Sequence, residues 1–279
     1  MTVSRQWLRR WGWLAAIAGL AAAAVWVAVI ADVAGLVSTR PTTTSAPSSR
    51  RAVSRPAVDW KPPTFTARKR ERDKLVATIR AYALDDEQIL KVMAAVPRHE
   101  FVPKEDASSA YDDRPLPIGY GQTISQPSLV AEMTRLLNLK SDSAVLEIGT
   151  GSGYQAAVLA HITPYVYTVE IIKPLAESAG DRLKRLGYKV VNVRHGDGYY
   201  GWPEEMEFDG IIVTAAAGHI PPPLIKQLAT GGRMVIPIGR PFSTQSLMLV
   251  EKLADGKLSI TRLMPVAFVP FVREDRSVR

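Results

Sequence analysis

The chain has 279 residues, 47% of them hydrophobic, no cysteine, and 35 lysines and arginines against 27 acids, giving a net charge of +8. The length leaves ample material for a core and the apolar fraction excludes a wholly disordered chain; the lack of cysteine excludes a disulfide scaffold, thiolate metal sites and a cysteine nucleophile. The charge is confined: residues 1–72 carry +9 and the remainder −1. A neutral body argues against a nucleic-acid partner, and the basicity belongs to the N-terminal extension.

Trp11 to Ala31 is 21 residues without a charge, enough to span a hydrocarbon core of about 30 Å as a helix. Three readings stand: an uncleaved membrane anchor, a signal peptide cleaved near Val29-Ile30-Ala31, or a buried soluble helix. Arg5, Arg9 and Arg10 favour a cytoplasmic N-terminus, whereas Arg40, Arg50, Arg51 and Arg55 pull the other way. Residues 1–37 are therefore read as an anchor or signal segment. Residues 38–67, rich in Ser, Thr, Pro and Arg, are read as a disordered basic linker that buries too little to offset its ordering entropy.

The folded body is assigned to residues 68–279. Leu75, Val76, Ile79 and Tyr82 predict an amphipathic helix over Lys69–Ala83, and Asp85-Asp86 starts a second helix running to Ala95. Pro97 and Pro103 enforce irregular chain. Tyr111–Pro127, with Pro115, Pro117, Gly119 and Gly121, reads as a long ordered loop, a form uncommon in compact domains unless functional. A helix follows from about Gln126 to Leu137.

From Ala144 the pattern becomes α/β. Strands are predicted at Ala144–Ile148, Val166–Val169, Val190–Val193, Gly210–Val213 and Arg233–Ile236. The helices between them run to about Ala160, over Pro174–Leu186 and over Pro222–Leu228. Gln245–Lys252 and Lys257–Leu263 flank Asp255-Gly256 as an antiparallel hairpin. The alternation predicts an α/β fold, a doubly wound, Rossmann-like sheet, mostly parallel, with its ligand beyond the strand C-termini.

Glu147-Ile148-Gly149-Thr150-Gly151-Ser152-Gly153 lies at a strand-to-helix junction, where glycines let the backbone approach a ligand. Glu170, 21 residues after Gly149, ends the next strand and can accept both hydroxyls of a ribose. A dinucleotide site prefers G-x-G-x-x-G; here the spacing is G-x-G-x-G behind an acid. That acid would repel a pyrophosphate but suits the cationic amino-acid end of S-adenosyl-L-methionine. Asp197, followed by Gly198, is placed for the adenine amino group. Glu147, Gly149, Thr150, Gly151, Gly153, Glu170, Asp197 and Gly198 are the candidate cofactor residues. The four histidines (His99, His161, His195, His219) are scattered and suggest no metal set; His99 reads as a structural hydrogen-bonder, and Asp112-Asp113 as ordering the loop.

The loop continues Tyr120-Gly121-Gln122-Thr123-Ile124-Ser125-Gln126-Pro127, and here the chain resembles the protein-L-isoaspartate (D-aspartate) O-methyltransferase family over about residues 70–270. The likeness includes Val96-Pro97-Arg98-His99-Glu100-Phe101-Val102-Pro103, Val145–Tyr154, Gly196-Asp197-Gly198-Tyr199, Gly201-Trp202-Pro203, Thr214-Ala215-Ala216-Ala217, Gly231-Gly232-Arg233 and Phe268-Val269-Pro270. It implies methyl transfer from S-adenosyl-L-methionine to the α-carboxylate of isoaspartyl residues in damaged proteins, starting repair through a succinimide. It makes Ser125 the active-site serine, with Ile124, Gln126, Val266, Phe268 and Val269 at the substrate peptide. It also implies a monomeric catalytic domain. A carboxylate is ionised at neutral pH and needs no general base, only alignment and exclusion of water. The competing readings are a methyltransferase of small-molecule acids or hydroxyls and a non-catalytic membrane-tethered binding module. Cofactor supply places the enzyme in the cytoplasm, tethered through residues 11–31; export is the alternative.

Overall fold

The computed structural model describes residues 55–82 and 84–274. The apolar segment 11–31, the linker as far as residue 54 and Ala83 lie outside the described residues. No helix among the described residues is long and apolar enough to cross a membrane.

Arg55–Ala67 departs from the expected disordered linker by following an ordered path along the body. Three of its large side chains find partners on the body. Arg55 donates through Nη1 to the Asp142 carbonyl at 2.7 Å and to Asp209 Oδ2 at 2.9 Å, and Trp60 Nε1 donates to the Gly187 carbonyl at 3.1 Å. Phe65 stacks on Tyr188 with ring centroids 6.3 Å apart. Composition predicts disorder because it cannot register such single contacts to distant residues.

Helix α1 (Lys69–Ala81) buries Leu75 and Ile79, and also Arg72, whose guanidinium donates to the carbonyls of Phe65, Ala67 and Ala94. Helix α2 (Glu87–Ala95) begins at Asp86, whose side chain accepts from the Ile89 N–H at 3.1 Å, as the Asp85-Asp86 signal implied. Two 3-10 turns, Arg98–Phe101 and Lys104–Ser109, follow Pro97 and Pro103.

The long loop contains a small antiparallel hairpin, strands β1 (Leu116–Gly119) and β2 (Gln122–Ile124), with Leu116 opposite Ile124. Both of these side chains are buried. Prolines and glycines on alternate positions masked the pairing pattern in the sequence; the buried Leu116–Ile124 pair supplies it. Helix α3 (Pro127–Leu137) follows, with Pro127 at its first turn.

The remaining elements form the doubly wound body. They are β3 (Val145–Ile148), α4 (Tyr154–Ala160), β4 (Val166–Glu170), α5 (Lys173–Arg185), β5 (Val191–His195) and β6 (Phe208–Val213), then α6 (Pro222–Gln227), β7 (Leu228–Ile238), β8 (Gln245–Lys252) and β9 (Leu258–Val266). The sheet order is β5-β4-β3-β6-β7-β8-β9. β5 to β7 run parallel, and β8 and β9 complete an antiparallel edge. β8 matches its predicted range, whereas β7 at both ends and β9 at its C-terminal end run past theirs because pairing continues beyond the apolar run. Leu146, Ile148, Ile211, Val213, Met234 and Ile236 fill one continuous core, so the strand ends around β3 are held rigidly. The chain order reverses beside β3, between β4 and β6, which leaves a crevice at their C-terminal ends.

Candidate active site

The crevice is lined by Ile148, Gly149 and Gly151 after β3, Val169 and Glu170 at the end of β4, and Thr214 after β6. Its second lobe is lined by Ile124 and Ser125 after β2, Glu147, Thr150 and Ser152. The two lobes share Thr123, Gly149, Gly151 and Thr214. Residues assigned to cofactor and to acceptor therefore meet around one glycine turn.

That turn requires glycine. Gly149 has φ 98°, and a Cβ there would lie 2.4 Å from Thr214 Oγ1. Thr214 in turn donates to the carbonyls of Ile148 and Gly149 at 3.0 and 2.8 Å, clamping the turn. Gly151 has φ 53° and donates its N–H to Glu170 Oε2 at 2.8 Å, while Glu170 Oε1 accepts from the Ile172 N–H at 2.9 Å. Gly153, at φ 88°, opens α4. The Thr150 hydroxyl is hydrogen bonded to that of Thr168 at 2.7 Å. Gly198 lies against Ile148: a Cβ would come within 2.4 Å of Ile148 Cγ2.

Glu147 is fully buried, and among the described residues no group meets either carboxylate oxygen in hydrogen-bond geometry, the Thr168 hydroxyl being engaged with that of Thr150. Desolvation pushes its pKa up to about 8; the nearby Thr168 hydroxyl opposes the rise and the Glu170 carboxylate adds to it. A buried acid without a partner is costly unless a cation arrives to meet it. Together with the glycine cradle this fits the ammonium and sulfonium of S-adenosyl-L-methionine. Among the described residues no group of three or more His, Asp or Glu is placed to hold a metal ion.

Asp197 is buried. Its Oδ1 accepts from the Tyr199 N–H at 3.0 Å and its Oδ2 from Arg273 Nε at 2.9 Å. The Arg273 guanidinium lies 3.5 Å from the Tyr199 ring centroid. Sequence reasoning missed Arg273, since 76 residues separate the pair.

Ser125 is half-buried between β2 and α3, and its hydroxyl has no hydrogen-bond partner among the described residues. Gln126 is buried and donates through Nε2 to Asp113 Oδ2 at 3.0 Å. Val266 ends β9, and the segment beyond it turns toward the crevice, where Val269 joins the lining. The Val269 carbonyl accepts from the Ala216 N–H at 2.8 Å. The Phe268 N–H donates to Oε1 of the buried Gln245 at 2.8 Å. Gln245 was invisible as a functional residue because its alternation marks only a strand. His99 bonds Tyr111 through Nδ1 at 2.7 Å, and burial lowers its pKa, consistent with a structural role.

Fold and crevice together define a class I S-adenosyl-L-methionine-dependent methyltransferase. The family model described as protein-L-isoaspartate (D-aspartate) O-methyltransferase matches residues 70–276, and the chain belongs to that family. It is 63% identical over 185 residues to protein-L-isoaspartate O-methyltransferase 2 of Syntrophobacter fumaroxidans, covering 66% of this chain and 75% of the relative. Against the Opitutus terrae enzyme it is 56% identical over 209 residues, covering 75% and 89%. Among solved structures, a Plasmodium falciparum chain described as a protein-L-isoaspartate O-methyltransferase with S-adenosyl-L-homocysteine bound superposes with a TM-score of 0.65 at 28% identity. That match covers 73% of this chain and 99% of the other.

Proposed function

We propose that the crevice aligns the α-carboxylate of an isoaspartyl residue against the methyl group of S-adenosyl-L-methionine, with Glu147 at the amino-acid end, Glu170 at the ribose and Asp197 and Gly198 at the adenine. The observation that carries this reading is the buried Glu147 carboxylate without a partner, set in the glycine cradle. When bound, the cofactor supplies an electrophilic methyl on a cationic sulfur, which becomes a neutral thioether as a carboxylate oxygen takes the methyl. The acceptor needs no base, because it is already ionised. The protein's part is to hold one acceptor oxygen with the Ser125 hydroxyl, leave the other free to attack, and exclude water. Charge is annihilated in the step, so a dry cleft favours it. Ile124 and Gln126 flank Ser125, and Val266, Phe268 and Val269 offer an extended segment to the substrate peptide.

The test is methyl transfer to an isoaspartyl peptide beside its aspartyl twin. The expected result is esterification of the first alone, with Ser125→Ala at least ~10-fold slower while still binding cofactor. Equal labelling of both peptides, or undiminished activity in Ser125→Ala, would defeat the reading.

The hydrophobic segment 11–31 is assigned as a membrane tether for a cytoplasm-facing domain, on the strength of its uncharged length and of cofactor supply. Protease added to intact cells should spare the catalytic domain; its digestion would place the domain outside.

A further inference from the structure

The Ser125 hydroxyl makes no hydrogen bond to the described residues, so its position is set by its neighbours. On one side, Ile124 is fixed by the buried pairing of β2 with β1. On the other, the chain enters α3, whose own first turn contains no acid and whose N-cap, Gln126, makes no side-chain cap bond. Both services come from Asp113, outside the helix. Asp113 Oδ1 accepts from the Ser128 N–H at 2.8 Å and Oδ2 from Gln126 Nε2 at 3.0 Å. One carboxylate thus caps the helix and grips the residue next to Ser125.

Asp113 has an unusual counterpart. Arg98 is fully buried, and its Nε and Nη1 have no hydrogen-bond partner; Nη2 reaches the Arg114 carbonyl at 3.4 Å. Its guanidinium lies 4.9 Å from the ring centroid of Tyr154, the first residue of α4 and the end of the cofactor turn. Burial disfavours the charged guanidinium, and the nearby Tyr154, Asp113 and Tyr111 side chains favour it. Arg98 therefore stands between the acceptor segment, through Asp113 and Arg114, and the cofactor turn, through Tyr154. A buried cation persists only where it is compensated.

We propose that Asp113, backed by the buried Arg98, is the positioning residue that sets Ser125 against the cofactor turn. It touches neither cofactor nor acceptor, and acts by holding Gln126 and the N-terminus of α3. This rests on the assignment of Ser125 above. Displacement of an aligning group by about 1 Å costs on the order of 100-fold in rate. Asp113→Ala should therefore lower kcat for an isoaspartyl peptide by ~10- to 100-fold, with the dissociation constant for S-adenosyl-L-homocysteine unchanged within about twofold. Asp113→Asn can still accept from the Ser128 N–H and, with the Gln126 amide reversed, remake the second bond, so it should recover most of kcat. Gln126→Leu breaks one of the two bonds without touching the charge facing Arg98, and keeps the test alive if Asp113→Ala does not fold.

The deciding measurement is a double-mutant cycle with Ser125→Ala. If Asp113 acts through Ser125, Asp113→Ala (or Gln126→Leu) costs little further in the Ser125→Ala enzyme. If Ser125→Ala alone is fully active, the catalytic assignment fails and this inference falls with it. If Ser125→Ala is impaired but the second substitution costs its full factor again, only the positioning role is overturned. Wild-type kcat in both Asp113→Ala and Gln126→Leu would overturn it as well.

Discussion

Glu147→Gln isolates a single buried proton. An unfolded glutamate titrates at 4.5, whereas burial holds Glu147 at about 8. Between these values the folded chain keeps a proton that the unfolded chain has lost, so stability falls as pH rises through the interval. One pKa unit corresponds to about 1.4 kcal/mol, and between pH 6 and pH 8 the wild-type enzyme should lose about 2 kcal/mol on this account. The glutamine does not titrate, and any constant cost of burying its amide cancels when the two proteins are compared at both pH values. For a domain of this size, about 2 kcal/mol is ~4–8 °C in melting temperature. Thermal denaturation of both proteins, without ligand, at pH 6 and pH 8 is the assay. The melting temperature of the variant minus that of wild type should increase by that amount. Saturating S-adenosyl-L-homocysteine should flatten the difference, because its ammonium favours the ionised acid. A difference that stays constant between pH 6 and pH 8 would refute the claim that Glu147 is buried without a partner.

Three further outcomes are expected. Gly198→Ala drives a methyl against Ile148 Cγ2 and should cost about 1–3 kcal/mol of stability, with cofactor affinity reduced in a binding titration; a wild-type titration would mean the turn yields freely. Arg273→Gln removes a cation from Asp197, with Arg273 39% and Asp197 3% exposed at the side chain. It should leave the melting temperature nearly unchanged and tighten S-adenosyl-L-homocysteine binding by ~2- to 5-fold; weaker binding would mean that Arg273 supports the ligand. Arg55→Ala breaks a largely buried pair with Asp209 and should destabilise the body by about 1–2 kcal/mol in chemical denaturation; no change would show that this pair contributes nothing.

What could be read from the sequence was what lies close along it. Glu147 and the glycines stand within a single strand-to-helix junction, where residue type and spacing dictate backbone conformation; Ser125 was singled out by the family resemblance. Glu170 follows from the regular length of a βαβ unit. The parallel sheet with its antiparallel edge was legible for the same reason, since each strand announces itself by an apolar run. The features that escaped depend on pairs remote in the chain. Arg273 meets Asp197 across 76 residues, and Arg55 meets Asp209 across 154. Gln245 holds Phe268 through a side chain that alternation assigns only to a strand. The β1–β2 hairpin was hidden differently: Pro115, Pro117, Gly119 and Gly121 read as loop until the buried Leu116 and Ile124 are seen to face each other. Asp113 was legible as a loop-ordering residue but not as the cap of α3, because α3 begins well beyond it.

Arg55 is fastened at the Asp142 carbonyl and at Asp209, beside the N-terminal ends of β3 and β6. The catalytic crevice opens at the opposite ends of those strands. The two poles of the sheet are thus divided between attachment and chemistry. A support, a fusion partner or a bead coupled ahead of Arg55 leaves from the pole away from the crevice, so the enzyme can be immobilised by that end with its mouth turned outward. Coupling close to Arg273 would instead load the segment that bonds Asp197. For display on a surface or assembly into a larger array, a junction at Arg55 is the handle the described body provides.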